Sequence, residues 1–375
     1  MKNISIVSLV IVLLCGFSAC TKHTIEGPDQ GEGETGYAGS EACKTCHEDI
    51  YTKTTQTAMY HALTVVEDGP PLIPSGSEDL LPPDEYTWSD LSFVIGAYEW
   101  GANFVANSGY VVTQKLGSQF NVADQTRGHY KSDIEDGTQE FVCGACHTTG
   151  WGEVTDVYSP HYINTFPEKY YEEGVRCEAC HGPGSVHMSN SSAESIVVDA
   201  SSELCGQCHK SSENNSIMAD GNFIGIGQQY EEWYSSDHSE EGITCVGCHD
   251  PHASAVHETA PGEGVKECSS CHADKNADNH FAKDIACTVC HMPKSVKVAL
   301  EENAYTGDAS SHIFKISTDA SYFMFSGDGL VNKDGEGLSL DYVCYQCHKD
   351  ESGAGGKNSK RSMEVLSQKA KDFHE

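Results

Sequence analysis

The most chemically specific feature of the sequence is the pattern Cys-x-x-Cys-His, which occurs eight times and is numbered here as motifs 1 to 8 in chain order. Two thiols three residues apart lie on one side of a helical turn. They can add to the two vinyl groups of one haem, and the following His becomes an axial ligand of its iron. The paired cysteines are Cys43 and Cys46, Cys143 and Cys146, Cys177 and Cys180, Cys205 and Cys208, Cys245 and Cys248, Cys268 and Cys271, Cys287 and Cys290, and Cys344 and Cys347. The histidines that follow them are His47, His147, His181, His209, His249, His272, His291 and His348.

Two other interpretations of paired cysteines fit an exported chain, namely four-Cys zinc sites and a disulfide framework. Neither explains why a His follows all eight pairs. The motifs use 16 of the 18 cysteines, and the other two, Cys15 and Cys20, belong to the N-terminal segment. The sequence therefore predicts eight covalently bound haem c groups, each with its iron.

Six-coordinate iron needs a second axial ligand, and the non-motif histidines are the candidates. His23 is set aside because it lies in a flexible acidic stretch. His187 and His252 follow their own motifs too closely to reach round the same porphyrin, so we expect each to bind a neighbouring haem. The predicted distal ligands are His61, His187, His238, His252, His280, His312 and His374.

Two questions about the distal ligands stay open at this point. The first haem can take His61 or Met59, and a Met ligand would raise its reduction potential. One of His129, His161 and His257 can complete the set.

Several stretches resemble the multihaem cytochromes related to the tetrahaem electron acceptor of hydroxylamine oxidoreductase, and the resemblance runs over most of residues 36 to 350. After motif 4 the family's Tyr, Trp, Ser and His spacing is kept at Tyr230, Trp233, Ser236 and His238. After motif 1 it is broken by Thr54 and Met59. The resemblance also implies that some members have an open, reactive haem. The matching pieces are residues 36–40, 143–151, 174–185 and 287–293.

The N-terminus is typical of an exported lipoprotein. An apolar run from Ile4 to Phe17 leads to Ser18-Ala19-Cys20, so residues 1–19 read as a lipoprotein signal peptide and Cys20 as the lipidated residue. A plain signal peptide cut nearby is the alternative. Residues 20–35 are a predicted flexible acidic tether. We expect a periplasmic or cell-surface protein attached to a membrane through this anchor.

Charge narrows the choice of partners. The chain has 23 basic and 56 acidic residues, a formal net charge of -33. This excess of negative charge argues against a nucleic-acid partner and favours basic redox proteins as donor and acceptor.

Residues 36–375 are predicted to form one octahaem cytochrome c domain with a haem-poor segment at 62–140. Within that segment, residues 93–98 and 109–113 look like short strands. The resemblance implies a hairpin flap there, and we favour a simple packing role. The predicted fold is mainly α with much irregular structure, organised around stacked haems, with a small β-hairpin region between haems 1 and 2.

These features predict electron transfer along closely packed, mostly bis-His haems, between a membrane or periplasmic donor and a terminal acceptor. The alternative is a multihaem reductase or oxidase of a small nitrogen or sulfur compound at one open haem. A filament or other oligomer with haems running through it is a third possibility.

The haem assignment makes a direct prediction of stoichiometry. A pyridine haemochrome assay on the purified holoprotein should give eight haems per chain, because each of the eight motifs is complete. Atomic emission should detect iron at the same ratio and no zinc. A count well below eight, or zinc in proportion to protein, would contradict the assignment.

Overall fold

The computed structural model describes residues 36–67, 69–74, 79–257, 262–275, 285–351, 359–371 and 373–374. The predicted signal peptide and tether, with Cys15, Cys20 and His23, lie outside the described residues, as does His280. Among the described residues, no helix is both long enough and apolar enough to cross a membrane.

The α-helices of the described residues are short, from four to nine residues long, and seven of the twelve contain at least one cysteine of a motif. In motifs 2, 3, 5 and 7 the helix ends at the motif His or one residue before it, and in motifs 1, 4 and 8 it ends three or four residues before the His. Three further turns, Trp88–Asp90, Ala193–Ser195 and Cys268–Ser270, have 3-10 geometry. The α-helices are α1 (Ser40–Lys44), α2 (Glu48–Thr54), α3 (Gly144–His147), α4 (Cys177–His181), α5 (Ser185–Asn190), α6 (Ser202–Gly206), α7 (Gln229–Tyr234), α8 (Asp237–Glu240), α9 (Cys245–Cys248), α10 (Cys287–His291), α11 (Leu340–Cys344) and α12 (Met363–Lys371).

The haem-poor segment forms an antiparallel sheet of seven strands, which is more extensive than the predicted hairpin. Its strands are β1 (Leu63–Val65), β2 (Leu91–Gly96), β3 (Gly101–Ala106), β4 (Tyr110–Val111), β5 (Gln119–Asn121), β6 (Arg127–Gly128) and β7 (Gln139–Glu140). The order is β1-β2-β3-β4-β7, and β5 pairs with β3 and β6. Two small sheets lie elsewhere: β8 (Thr148–Thr149) pairs with β9 (Glu172–Glu173), and β10 (Ile217–Asp220) pairs with β11 (Phe223–Ile224) and β12 (Leu330–Val331).

The seven-stranded sheet is buried on both faces. Successive side chains of a strand point to opposite faces, so Phe93 and Val94 of β2 enter different apolar clusters. Phe104 and Val105 of β3 divide in the same way. The sheet therefore supplies an apolar core to residues 62–140, and a separate apolar cluster, which includes Ile217, Val296 and Val343, lies among the motif segments.

The turn between β2 and β3 connects the sheet to the motif segments. Tyr98 at this turn is only 4% exposed, and its hydroxyl donates to Ser254 Oγ at 3.1 Å. Trp100 Nε1 donates to Asp308 O at 3.0 Å. The turn thus packs against segments that follow motifs 5 and 7, which agrees with a packing role for this region.

Burial of the sheet can be tested by Phe104→Ala. The Phe104 side chain is fully buried, so its removal should lower the free energy of unfolding by about 3–5 kcal/mol. The matched control is Leu72→Ala, since Leu72 is 94% exposed and its loss should change stability by less than about 0.5 kcal/mol. Guanidinium unfolding followed by far-ultraviolet circular dichroism measures both, and equal effects would contradict the buried position of β3.

Candidate functional site

Every Cys-x-x-Cys-His motif forms one helical turn. In motif 1 the Cys46 N–H donates to Cys43 O at 3.2 Å and the His47 N–H donates to the same oxygen at 2.9 Å. The same bonds recur in motifs 4, 6 and 8. This geometry places both thiols and the imidazole on one side of the turn, as covalent attachment to one porphyrin requires.

Five motif histidines face a second imidazole within the described residues. A metal–nitrogen bond is about 2 Å long, so two imidazoles on opposite sides of one iron have ring centroids roughly 6 Å apart. The pairs have that spacing, and an iron porphyrin therefore fits between the rings. They are His47 with His187 at 6.3 Å, His181 with His252 at 6.1 Å, His249 with His312 at 6.1 Å, His272 with His238 at 6.0 Å, and His291 with His374 at 5.9 Å.

In each pair the second imidazole comes from a distant part of the chain. His187 follows motif 3 and faces motif 1, and His252 follows motif 5 and faces motif 3. This is the arrangement expected for ligation of a neighbouring haem. His187, rather than His61 or Met59, is the side chain that the structure brings to His47.

The C-terminal helix α12 positions His374. Leu366 of α12 is buried against Leu340 and Tyr345 of the motif 8 segment, and Ser367 Oγ donates to Thr318 O at 2.6 Å. The tail is therefore held by packing before it reaches His291.

Hydrogen bonds at the second ring nitrogen orient several imidazoles. Nδ1 of His147 donates to Ala62 O at 2.8 Å, and Nδ1 of His181 donates to Val197 O at 2.7 Å. Since a carbonyl can only accept, the proton lies on Nδ1 and leaves Nε2 free to bind a metal.

Burial favours the neutral form that a metal ligand requires. It lowers the pKa of His147, His209 and His249, and it lowers the pKa of His312 to about 3. Neutral imidazoles of this kind fit a haem iron.

The remaining distal candidates lie elsewhere. His61 Nε2 donates to Thr55 O at 2.9 Å, and His129 Nδ1 donates to Gln114 O at 2.6 Å. His257 Nε2 lies 2.6 Å from a Glu99 oxygen, and His161 is exposed. Among the described residues, none of these is paired with a motif imidazole.

Motifs 2 and 4 differ from these five. No second imidazole of the described residues stacks opposite His147 or His209 at the spacing of the five pairs. For His348 the remaining predicted candidate is His280, which lies outside the described residues.

The motifs contact one another in a spatial order that differs from chain order. Where two motifs meet, their cysteine side chains hydrogen-bond or lie close enough to interact electrostatically. The contacts are Cys43 with Cys177, Cys180 with Cys205, Cys205 with Cys245, Cys248 with Cys271, Cys268 with Cys287, and Cys290 with Cys347. Motif 2 meets motif 4, where Cys146 Sγ lies 4.0 Å from Cys208 O. The motifs thus form the series 1-3-4-5-6-7-8, with motif 2 joined to motif 4.

Two carboxylates that the sequence analysis did not single out, the buried Glu178 and the half-buried Glu172, hold the motif 1 segment against motif 3. Glu178, inside motif 3, accepts from the N–H groups of Ala38 and Gly39 at 2.8 Å. Glu172 accepts from the Ser40 hydroxyl at 2.7 Å. The sequence did indicate this contact, since residues 36–40 and 174–185, which Glu178 joins, are both stretches that resemble the family.

Glu232 of α7 plays a corresponding part near motif 5. It is 1% exposed, and one of its carboxylate oxygens accepts from the His312 backbone N–H at 2.6 Å. Burial raises the pKa of Glu232 to about 7. In the sequence, the indication was that Glu232 lies among the aromatic residues Tyr230, Trp233 and Tyr234.

Comparison with known families defines the class of protein. A family model described as "Cytochrome c554 and c-prime" matches residues 112–182, and a model of a doubled CXXCH motif matches residues 238–277. Together with the geometry of the motifs, these matches identify the chain as a multihaem c-type cytochrome with covalently bound haem c.

Two curated relatives are similar to parts of the chain. "Multiheme cytochrome MtrA" of Shewanella baltica (strain OS185) is 23% identical over 226 residues, 56% of this chain and 53% of MtrA. "Dissimilatory sulfite reductase MccA" of Wolinella succinogenes is 26% identical over 199 residues, 39% of this chain and 27% of MccA. The chain therefore spans about half of one relative and about a quarter of the other.

Two solved structures have a similar fold. The octahaem sulfite reductase MccA of Wolinella succinogenes, form II, has a TM-score of 0.63 at 16% identity, covering 90% of this chain and 71% of that one. "Outer Cell Wall Cytochrome OcwA" has a TM-score of 0.54 at 17% identity, covering 90% and 87%. At such low identity the likeness concerns the fold alone.

The pairing of His374 with His291 predicts the effect of His374→Ala. Removing the distal imidazole should convert one haem from low-spin to high-spin and let its ferrous iron bind carbon monoxide. Electron paramagnetic resonance and carbon monoxide difference spectra measure the change relative to wild type. His161→Ala is the matched control, because His161 is exposed and is not paired with a motif imidazole within the described part of the chain. The assignment is wrong if both variants keep the wild-type spectra.

Proposed function

We propose that this chain is an octahaem electron-transfer protein that passes electrons between a membrane or periplasmic donor and a terminal acceptor. The observation that carries the proposal is the set of five imidazole pairs at about 6 Å. Two axial imidazoles close both faces of an iron to other ligands, so such a haem exchanges electrons rather than binding substrate. Each of these irons is thus suited to relay electrons.

The contacts between motifs support a continuous path. Cys43 lies beside Cys177, and Cys205 lies beside Cys245, which supports neighbouring positions for the haems attached to them. Stacked haems of this kind allow direct electron transfer between macrocycles. The path would run through motifs 1-3-4-5-6-7-8 with a branch at motif 2.

The lipid anchor, the location and the family relation in this proposal come from the sequence and from the names of similar proteins. A lipid anchor at Cys20 would hold the protein on a membrane, in the periplasm or at the cell surface. OcwA is described as an outer cell wall cytochrome, which favours an extracytoplasmic position here. A relation to the tetrahaem electron acceptor of hydroxylamine oxidoreductase rests on the sequence resemblance alone.

The runner-up proposal is a reductase or oxidase of a small nitrogen or sulfur compound. MccA, which has a similar fold, is described as a sulfite reductase. The observation in its favour is that His61, His129 and His257 contact Thr55, Gln114 and Glu99, and that no imidazole of the described residues is paired with His147 of motif 2 or His209 of motif 4. An open iron at either motif would provide a substrate position.

One experiment separates the two proposals. The dithionite-reduced holoprotein is saturated with carbon monoxide, which occupies any open ferrous iron, and is then mixed with ferric citrate or with sulfite or nitrite. For a conduit, ferric citrate should reoxidise the six-coordinate haems at the same rate with and without carbon monoxide. Stopped-flow absorbance measures this rate.

The outcomes are distinct. Turnover of sulfite or nitrite that carbon monoxide abolishes would replace the conduit proposal with the enzyme. Reoxidation by ferric citrate that fails in the presence of carbon monoxide would also contradict a path through closed irons. The control is the fully reduced protein without any oxidant, which should keep its spectrum.

A further inference from the structure

The proximal imidazole of motif 4 is held differently from those of motifs 2, 3 and 7. Nδ1 of His147, His181 and His291 donates to a backbone carbonyl at 2.7–2.8 Å. Nδ1 of His209 instead donates to the side-chain amide oxygen of Gln229 at 3.2 Å. Here a side chain, which substitution can change, determines how strongly the imidazole donates to its iron.

The first turn of α7 holds Gln229 rigidly against motif 4. The Tyr230 N–H donates to His209 O at 3.0 Å. Gln228, which is 2% exposed, accepts from Met218 N at 2.7 Å and donates to Met218 O at 2.9 Å. Glu231 accepts from the N–H groups of Ser211 and Ser212 at 2.7 and 2.6 Å.

Packing reinforces these hydrogen bonds. A side chain at Gly206, inside motif 4, would approach the Tyr230 ring to 2.7 Å, so the ring lies directly on the motif. The residues on both sides of Gln229 are therefore fixed to the segment that carries His209. The amide is preorganised for its contact with the ring.

Motif 4 also occupies the branch of the motif network. Cys205 lies beside Cys180 of motif 3 and hydrogen-bonds to Cys245 of motif 5. Cys208 Sγ lies 3.8 Å from Ala145 O of motif 2. The potential of the haem at motif 4 thus affects electron exchange with three neighbours.

We propose that Gln229 is a positioning residue that fixes the Nδ1–H tautomer of His209 and sets the reduction potential of the haem at the branch. The inference rests on the proposed function, since it requires a haem at motif 4. A stronger acceptor at position 229 gives His209 more imidazolate character and stabilises ferric iron. Removal of the acceptor has the opposite effect.

The test compares Gln229→Glu and Gln229→Met in the full-length holoprotein by spectropotentiometric titration and electron paramagnetic resonance. We expect one haem component to move to lower potential in Q229E and the same component to move to higher potential in Q229M. Its resonance signals should change with it, while the other components keep their wild-type positions.

Gln207→Glu is the matched control. Gln207 lies inside motif 4, so this change adds the same charge near the same haem, while the hydrogen bond from Nδ1 of His209 goes to Gln229. A shift in Q229E that exceeds that in Q207E, together with the opposite shift in Q229M, supports the proposal. Shifts of one sign in Q229E and Q229M, no shift, or equal shifts in Q229E and Q207E would overturn it.

Haem content distinguishes failure of this inference from failure of the proposed function. A pyridine haemochrome count of eight in wild type and in all three variants keeps the comparison valid. Because Q229M nearly preserves the shape of Gln, circular dichroism should match wild type. A wild-type count below eight with no haem on motif 4 overturns both this inference and the octahaem proposal, whereas a full count with unmoved potentials overturns the inference alone.

Discussion

The separation of about 6 Å between paired imidazoles is the constraint on which the rest of the structure depends. An iron bound by both rings fixes two chain segments relative to each other as firmly as a covalent cross-link in the native state. His187 ties the segment after motif 3 to motif 1, and His312 ties the segment after motif 7 to motif 5. Contacts between segments that are distant in sequence therefore hold the short helices in fixed positions relative to one another.

Short helices need support from tertiary contacts throughout the described residues. Residues 62–140 carry no motif, and there a sheet buries side chains of β2 and β3 on both of its faces. Between motifs 2 and 7 the helices are four to six residues long, too short to be stable in isolation. A further apolar cluster, which includes Ile217, Val296 and Leu338, packs segments that follow motifs 4 and 7 against each other.

Local chemistry made part of this arrangement predictable. The spacing inside each motif predicts a helical turn and a haem, and the short distance from motif to His187 or His252 predicts ligation of another haem. The sequence could not predict which motif histidine each distal histidine faces, because that depends on long-range folding that the spacing does not encode. His61 was a reasonable candidate by position, yet its imidazole bonds to Thr55 O, while His187 arrives from a segment more than a hundred residues away.

The strands of the seven-stranded sheet could also be predicted only in part from the sequence. Strands β2 and β4 fall in stretches rich in β-branched and aromatic residues, which predict strands. Strand β3 has the sequence Gly-Ala-Asn-Phe-Val-Ala and a low intrinsic preference for a strand, but pairing with β2, β4 and β5 on both edges stabilises it. Tertiary pairing, rather than propensity, decides its conformation.

Buried carboxylates reveal how such an acidic chain accommodates its cofactors. Glu178, Glu231 and Glu232 are each at most 3% exposed, and backbone N–H groups donate to each of them. Burying a charge is costly unless hydrogen bonds or an opposite charge compensate. Burial raises the pKa of Glu178 and of Glu232, while the N–H groups that donate to them favour the ionised form. These hydrogen bonds also join separate segments, since Glu178 accepts from Ala38 and Gly39 and Glu232 accepts from His312.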